Sequence, residues 1–231
     1  MPAKNEEAAI GAVVTSARAE GFDVLVVDDC STDATVAVAR GHGATVIRLP
    51  FSAGAWGATQ AGIRYALRCH YRWTVTIDAD GQHDPAHIRQ LLEVMCAGKR
   101  PVNVVVAACW SRGSPARRMA CHVLRHLGGL GINDLTSGYR LYDRRAMEVV
   151  SAAEATLIEY QDVGVLLLLM RRGCRAVETS VPMCKRADGK SRIFRSWFVV
   201  AYYLAYSALM CFSKRRVLPG EPRQWHRETE G

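Results

Sequence analysis

The stretch VTIDADGQHDP, residues Val75 to Pro85, ends an apolar run with two carboxylates, Asp78 and Asp80, one residue apart. Gln82, His83 and Asp84 follow directly. Two close acids repel one another, so the pattern asks for a positive charge to hold them together. At the end of a strand both side chains can turn toward one point, where a hard divalent cation accepts carboxylate oxygens and keeps phosphate oxygens as further ligands. Gln82 offers a third oxygen. Solvated acids in a surface turn are the competing reading. A calcium-binding helix-loop-helix fits poorly, because Gly81 comes two residues too early for that loop. Pro85 suits the first turn of a helix, and His83 reads as a residue of the helix entry rather than a catalyst.

Outward from this stretch, apolar strands alternate with helical segments. DVLVVDD (23–29), ATVIRLP (44–50), WTVTIDAD (73–80) and VNVVVAACW (102–110) read as strands. Between them, STDATVAVARGHG (31–43), GATQAGIRYALRCHY (57–71) and DPAHIRQLLEVMCAG (84–98) read as helices, the first with Ser31 or Thr32 as its N-cap. Repeated β-α units imply an α/β fold, with a mostly parallel sheet covered by helices on both faces. Ligands of such sheets bind beyond the carboxyl ends of the strands. Asp28, Asp29, Asp78 and Asp80 all fall at such ends. Asp33 is better placed as an acid in the first turn of a helix, where the dipole favours it. The segment MPAKNEEAAIGAVVTSA reads as the turn and helix after a first strand that is itself lacking.

The 231 residues suffice for one large domain with an appendage, and the formal net charge of +8 favours anionic partners. Nucleic acid is a poor candidate, because the basic residues are not interleaved with aromatics and the strand-end acids would repel a phosphate backbone. The eight cysteines show no metal-ligand spacing and read as reduced thiols, which suits the cytoplasm. VGVLLLLM (163–170) is too short to span a bilayer and reads as core. From Ser196 to Ser213 no residue is charged, a length of roughly 27 Å as a helix. Arg192 and Arg195 precede this run, and Lys214, Arg215 and Arg216 follow it. Basic flanks at both ends suit a helix on an anionic membrane surface; a buried core helix is the alternative. The chain thus divides into an α/β domain over 1–192, a membrane-associating helix over 193–216 and a tail over 217–231.

CKRADGKS (184–191) has the outline of a phosphate-binding P-loop, but Cys184 stands where its first glycine is required. What remains is a basic loop whose Arg186, Lys190 and Arg192 can hold a phosphate.

Taken together, PAKNEE, VVDDCSTDAT, DADGQHDP, NDLTSGYRLY and KRADGKSR occur in the order found in family 2 glycosyltransferases with the GT-A fold. The last two resemble the branch that glycosylates polyprenyl phosphates, the dolichyl-phosphate mannose synthase group. The resemblance spans roughly Pro2 to Arg192. It implies that Pro2, Asn5, Glu6, Asp28 and Asp29 hold the nucleotide. Asp78, Asp80 and Gln82 would bind Mg²⁺ or Mn²⁺ on the donor diphosphate. Arg112, Arg140, Arg186 and Lys190 would meet donor or acceptor phosphates, and Asp134 would line the catalytic pocket with Asp80 and Arg112. The sequence departs from the family in having Ser52 where its glycine-rich segment usually opens with Asn, and Trp110 where Gly usually precedes Ser-Arg. The implied reaction is inverting, metal-dependent transfer of a sugar from a UDP- or GDP-sugar to a polyprenyl phosphate at the cytoplasmic face of a membrane. A soluble or protein-bound acceptor, or a non-catalytic sugar-nucleotide or lipid-binding homologue, are the alternatives.

Overall fold

The computed structural model describes residues 1–97, 100–109, 115–158, 162–184 and 205–211. Two sheets carry the chain. The first has the order β1 (Pro2–Ala3), β2 (Leu25–Asp28), β3 (Thr45–Arg48), all parallel. The second runs β4 (Trp73–Thr76), β6 (Arg140–Asp143), β5 (Val104–Ala108), β7 (Ala176–Ser180). In it β6 is antiparallel to both β4 and β5, while β5 and β7 are parallel. Three of the five described strand pairs are parallel, and β6 is the one reversed strand among those described.

The first strand is present, contrary to the sequence reading, as the two-residue β1. Met1 O accepts from Val27 N at 2.8 Å, and Ala3 O accepts from Asp29 N at 2.8 Å. The chain-terminal ammonium of Met1 donates to Leu25 O at 2.8 Å. Beside it, between β2 and β4, lies a cavity of about 450 Å³ lined by residues such as Val24, Leu25, Ala58, Gly62, Trp73 and Val75. Burial pulls the Met1 ammonium down to about 6, with the Asp78 carboxylate acting in the opposite direction.

Alternation along β5 explains how the second sheet is covered on both faces. Val104 and Val106 enter one apolar cluster, with residues of α3 (Gly54–Arg68), α5 (Pro115–Gly128), α6 (Arg144–Ser151) and α8 (Val163–Arg171). Val105 and Ala107 point the other way, onto Ile88, Leu91 and Met95 of α4 (Ile88–Ala97). Successive strand side chains face opposite sides, so a strand apolar at every position is one buried on both. A third cluster joins Ile10, Val14 and Ala17 of α1 (Glu7–Ala19) to Val26 of β2 and Ala39 of α2 (Thr35–Gly41). The short α7 (Ala153–Thr156) accepts the Trp56 indole N–H on Ala155 O at 2.8 Å.

The apolar run at 163–170 forms the core helix expected of it, with Val163 to Leu169 all buried. Among the described residues no helix is long and apolar enough to cross a membrane. Most of 193–231, with the proposed surface helix and tail, lies outside the described residues. The exception, 205–211, is helical. It packs Ser207 and Cys211 inward, leaves Leu209 66% exposed, and sets Cys211 Sγ 3.8 Å from Leu124 O on α5.

Candidate active site

β2 and β4 deliver acids to the same kind of place, the carboxyl end of the strand. At β2, Asp28 and Asp29 are 0% and 4% exposed. Asp28 accepts from Ser31 N at 3.2 Å and from Arg48 Nε at 3.4 Å. Asp29 accepts from Ser52 Oγ at 2.8 Å and Ala53 N at 2.6 Å, with Lys4 Nζ 3.8 Å away. Lys4 Nζ also donates to Ser52 Oγ at 2.8 Å. Ser52, a departure from the family pattern, thus acts as the hydroxyl bridge between Lys4 and Asp29. Buried carboxylates persist only when donors meet them, and here the donors come from three separate loops.

The segment after β1 is locked to the one after β2. Asn5 adopts a left-handed φ of 55°. Its side-chain Oδ1 accepts from Thr32 N at 2.8 Å, while its backbone N donates to Ser31 Oγ at 2.9 Å. Glu6 N donates to Thr35 Oγ1 at 2.8 Å. These contacts correct the expected start of the second helix. Ser31 and Thr32 serve this loop-to-loop junction instead of capping, and α2 begins at Thr35. Asp33 accepts from Thr35 N at 3.0 Å and Thr35 Oγ1 at 2.5 Å. Partial burial would raise its pKa, but these hydrogen bonds and others from the backbone hold it below the ordinary carboxylate range.

At β4 the backbone runs on in alternation. Ile77 and Ala79 are buried at 4% and 3%, whereas Asp78, Asp80 and Gln82 are partly exposed. The two carboxylates therefore share a side, opposite the core. Gly81 takes φ +73°, which an L side chain rarely adopts, and the turn lets Asp80 Oδ1 accept from Gln82 N at 3.1 Å. His83 is buried at 2% and stacks at 5.1 Å on Tyr139, so it does not face the pocket as a catalyst would. Tyr139 donates to Asp84 O at 3.1 Å. Its phenol is pushed well above its usual pKa by burial and then by the Asp84 carboxylate. Gln82 O accepts from Cys184 N at 2.9 Å. The basic segment that follows Cys184 thus leaves the described structure beside the Asp80 turn.

Among the described residues no three of His, Cys, Asp or Glu come together to cage a metal. The oxygen set of Asp78, Asp80 and Gln82 instead fits a hard cation that retains waters and substrate phosphates.

Asp134 lies across the sheet, in the loop before β6. Its Oδ2 accepts from Cys109 N at 3.3 Å, just past β5, and its Oδ1 accepts from Thr136 N and Oγ1 at 3.2 and 2.9 Å. Arg140 is in a different position from the one its motif suggested. It is 1% exposed and donates from Nε to Ser137 O at 2.8 Å and from Nη2 to Leu135 O at 3.0 Å. A guanidinium so enclosed organises the loop and offers no face to an incoming phosphate. Arg112, Arg186 and Lys190 lie outside the described residues. Lys4 and Glu178 were not singled out from the sequence, and Ser52 only as a departure from the family pattern. An exposed Lys, a Ser in a loop and a Glu in a strand carry no local signal, and their partners lie 23 to 48 residues away in the chain.

An α/β sheet with buried, clamped acids at one strand end and paired, partly exposed carboxylates at another places its candidate site at the carboxyl edge of the sheet, where ligands of such folds bind. The chain belongs to glycosyl transferase family 2, whose model matches residues 1–150. It is 30% identical over 191 residues to a polyprenol monophosphomannose synthase of Mycolicibacterium smegmatis, across 74% of this chain and 69% of that one. An undecaprenyl-phosphate mannosyltransferase of Micrococcus luteus is also 30% identical, across 74% of this chain and 75% of the relative. Among solved structures, glucosyl-3-phosphoglycerate synthase of Mycobacterium tuberculosis with phosphoglyceric acid superposes with a TM-score of 0.68 at 18% identity, over 92% of this chain and 77% of that one. The same enzyme with Mn²⁺ and UDP-glucose gives 0.67 at 19% identity, over 92% and 76%. At such identities these structures speak for the fold alone, and that fold is the GT-A architecture the motifs imply. The protein is a glycosyltransferase.

Proposed function

We propose that the protein transfers one sugar, with inversion, from a UDP- or GDP-sugar to a polyprenyl phosphate at the cytoplasmic face of a membrane. The observation that carries the reading is the hydrogen bond from Cys184 N to Gln82 O, which brings the start of the basic segment to the paired-carboxylate turn. The two mannosyl-transferring relatives, named for polyprenol and undecaprenyl phosphate, support the acceptor class.

Asp78 and Asp80, with Gln82 beside them, would hold Mg²⁺ or Mn²⁺, which supplies charge neutralisation on the departing nucleoside diphosphate. Pro2, Asn5, Glu6 and the clamped Asp28 and Asp29 form the wall for the nucleoside. An acceptor phosphate is already ionised at neutral pH, so it needs cations to position it more than a base to activate it. Arg112, Arg186 and Lys190 are the candidates for that task, and Asp134 lines the pocket from the far side. A hydroxyl acceptor would instead need a general base, and Asp134 is the carboxylate placed for it.

The test is a panel of UDP- and GDP-sugars with a short polyprenyl phosphate and Mg²⁺ or Mn²⁺, scored for lipid-linked product. Transfer only to a soluble phosphorylated or hydroxyl acceptor overturns the lipid reading, and donor binding without any transfer overturns the enzymatic role of this site. Partitioning onto anionic vesicles without detergent tests the membrane assignment.

A further inference from the structure

Glu178 sits in the middle of β7, in register with the fully buried Val106 of β5. Glu178 itself is partly buried, and donors offset the desolvation of its carboxylate. Its donors come from the Asn133–Asp134 dipeptide. Asn133 N donates to Oε2 at 2.7 Å, Asp134 N donates to the same oxygen at 3.3 Å, and Asn133 Nδ2 donates to Oε1. The Asn133 amide is held in one orientation, because its Oδ1 accepts from Arg125 Nη1 on α5. The amide carbonyl therefore faces a guanidinium and its NH₂ faces a carboxylate. Immediately downstream, the Asp134 carboxylate grips Cys109 N at the end of β5 and the Thr136 turn. Three elements, β7, α5 and the end of β5, meet through this peptide.

We propose that Glu178 is a positioning residue of the transfer site: it fixes the Asn133–Asp134 peptide and so sets the Asp134 carboxylate against the end of β5. Glu178 touches no reacting group and acts through Asp134, so the inference rests on the reading of Asp134 as a pocket residue. A small displacement of a pocket carboxylate lowers turnover more than donor affinity, because geometry at the reacting centre is what it sets.

The experiment uses Glu178→Gln, which keeps the size and one acceptor oxygen. Its Oε1 can still take both backbone N–H groups, but its NH₂ then meets Asn133 Nδ2 donor to donor. Flipping Asn133 does not relieve this, since the flip turns its NH₂ onto Arg125. We expect kcat to fall about 30-fold while donor KM stays within about twofold. Adding Asn133→Asp restores the pairing: one carboxylate oxygen accepts from Arg125 and the other from the new amide. The double variant should recover to within about threefold of the parent, a coupling that independent sites do not show. Wild-type kcat in Glu178→Gln, or a double variant as slow as the single, overturns the proposal.

Asp134→Asn is assayed alongside. If it turns over normally, both the pocket role of Asp134 and the positioning role of Glu178 fall. If it is slow and Glu178→Gln is not, the positioning role alone falls. A readout independent of turnover is the amide NMR signals of Cys109 and Asp134. They should move in Glu178→Gln and return in the double variant, and unmoved signals overturn the proposal even in the absence of a working donor.

Discussion

Asp78 and Asp80 share one side of the chain because Ile77 and Ala79 are drawn into the core, so the pairing of the acids is set by apolar neighbours. Replacing Asp80 by Ala should lower metal-dependent transfer by about 100-fold or more, the usual scale for losing a charge-stabilising group. Asp80 also accepts from Gln82 N, so Ala loosens the turn as well. Asp80→Asn separates the two roles: it keeps an acceptor for Gln82 N and removes the charge. Mn²⁺ titration of both variants reads the difference, and unchanged turnover in Asp80→Asn excludes metal binding there. Arg140 calls for the opposite outcome. Its Nε and Nη2 donate to the Ser137 and Leu135 carbonyls inside the loop, so Arg140→Met should destabilise the fold by about 3 kcal/mol, within the range for breaking a buried charged network. Chemical denaturation measures this. In the fraction that remains folded, donor KM should be unchanged, which a phosphate ligand would not allow.

Elements were legible in the sequence where burial alone decides them. β2, β4 and β5 are short apolar runs, and α3 and α4 repeat apolar residues at helical spacing, so each was visible without its partners. The start of α2 was not. Ser31 and Thr32 look like caps, but Asn5, 26 and 27 residues away, takes up the Ser31 hydroxyl and both the N–H and the hydroxyl of Thr32, and the helix begins only at Thr35. The reversal of β6 was equally hidden, since Arg140–Asp143 carries no mark of direction and its pairing with β4 and β5 is a matter of topology. Of the candidate site, the acids at strand ends could be read because charge after an apolar run is a local pattern. Ser52, Lys4 and Glu178 could not, since each matters only through a distant partner. For α8 the sequence left a core helix as the reading of its leucine run, and this fixes a prediction. Leu169→Ala, at a position 1% exposed, should cost about 2–5 kcal/mol, the usual penalty for a buried Leu cavity. Urea denaturation of the detergent-free protein checks it; a change below about 1 kcal/mol would mean that the helix is not part of the core.

At the scale of the whole molecule, the two sheets approach each other around Met1, whose ammonium is covered beside the cavity between β2 and β4. Burial lowers its pKa to about 6 from 8.0, so the folded state favours the neutral amine. The sign follows. Above pH 8 the amine is neutral in both states and folding is not penalised. As pH falls from 8 toward 6, the unfolded chain takes up the proton first and stability declines; below 6 both states are protonated and the loss is complete. Two pKa units correspond to about 2.7 kcal/mol. Acetylating Met1 removes the titration but keeps an N–H for Leu25 O, and the cavity has room for the added group. The acetylated protein should therefore melt about 5 °C higher than the free-amine form at pH 6, by the usual relation of stability to Tm at this size, and the difference should vanish at pH 9. Other titrating groups are common to both forms and cancel in the comparison. A difference in Tm that is constant from pH 6 to 9 would show that the ammonium is hydrated in the folded protein and that the space between the sheets is open to water at Met1.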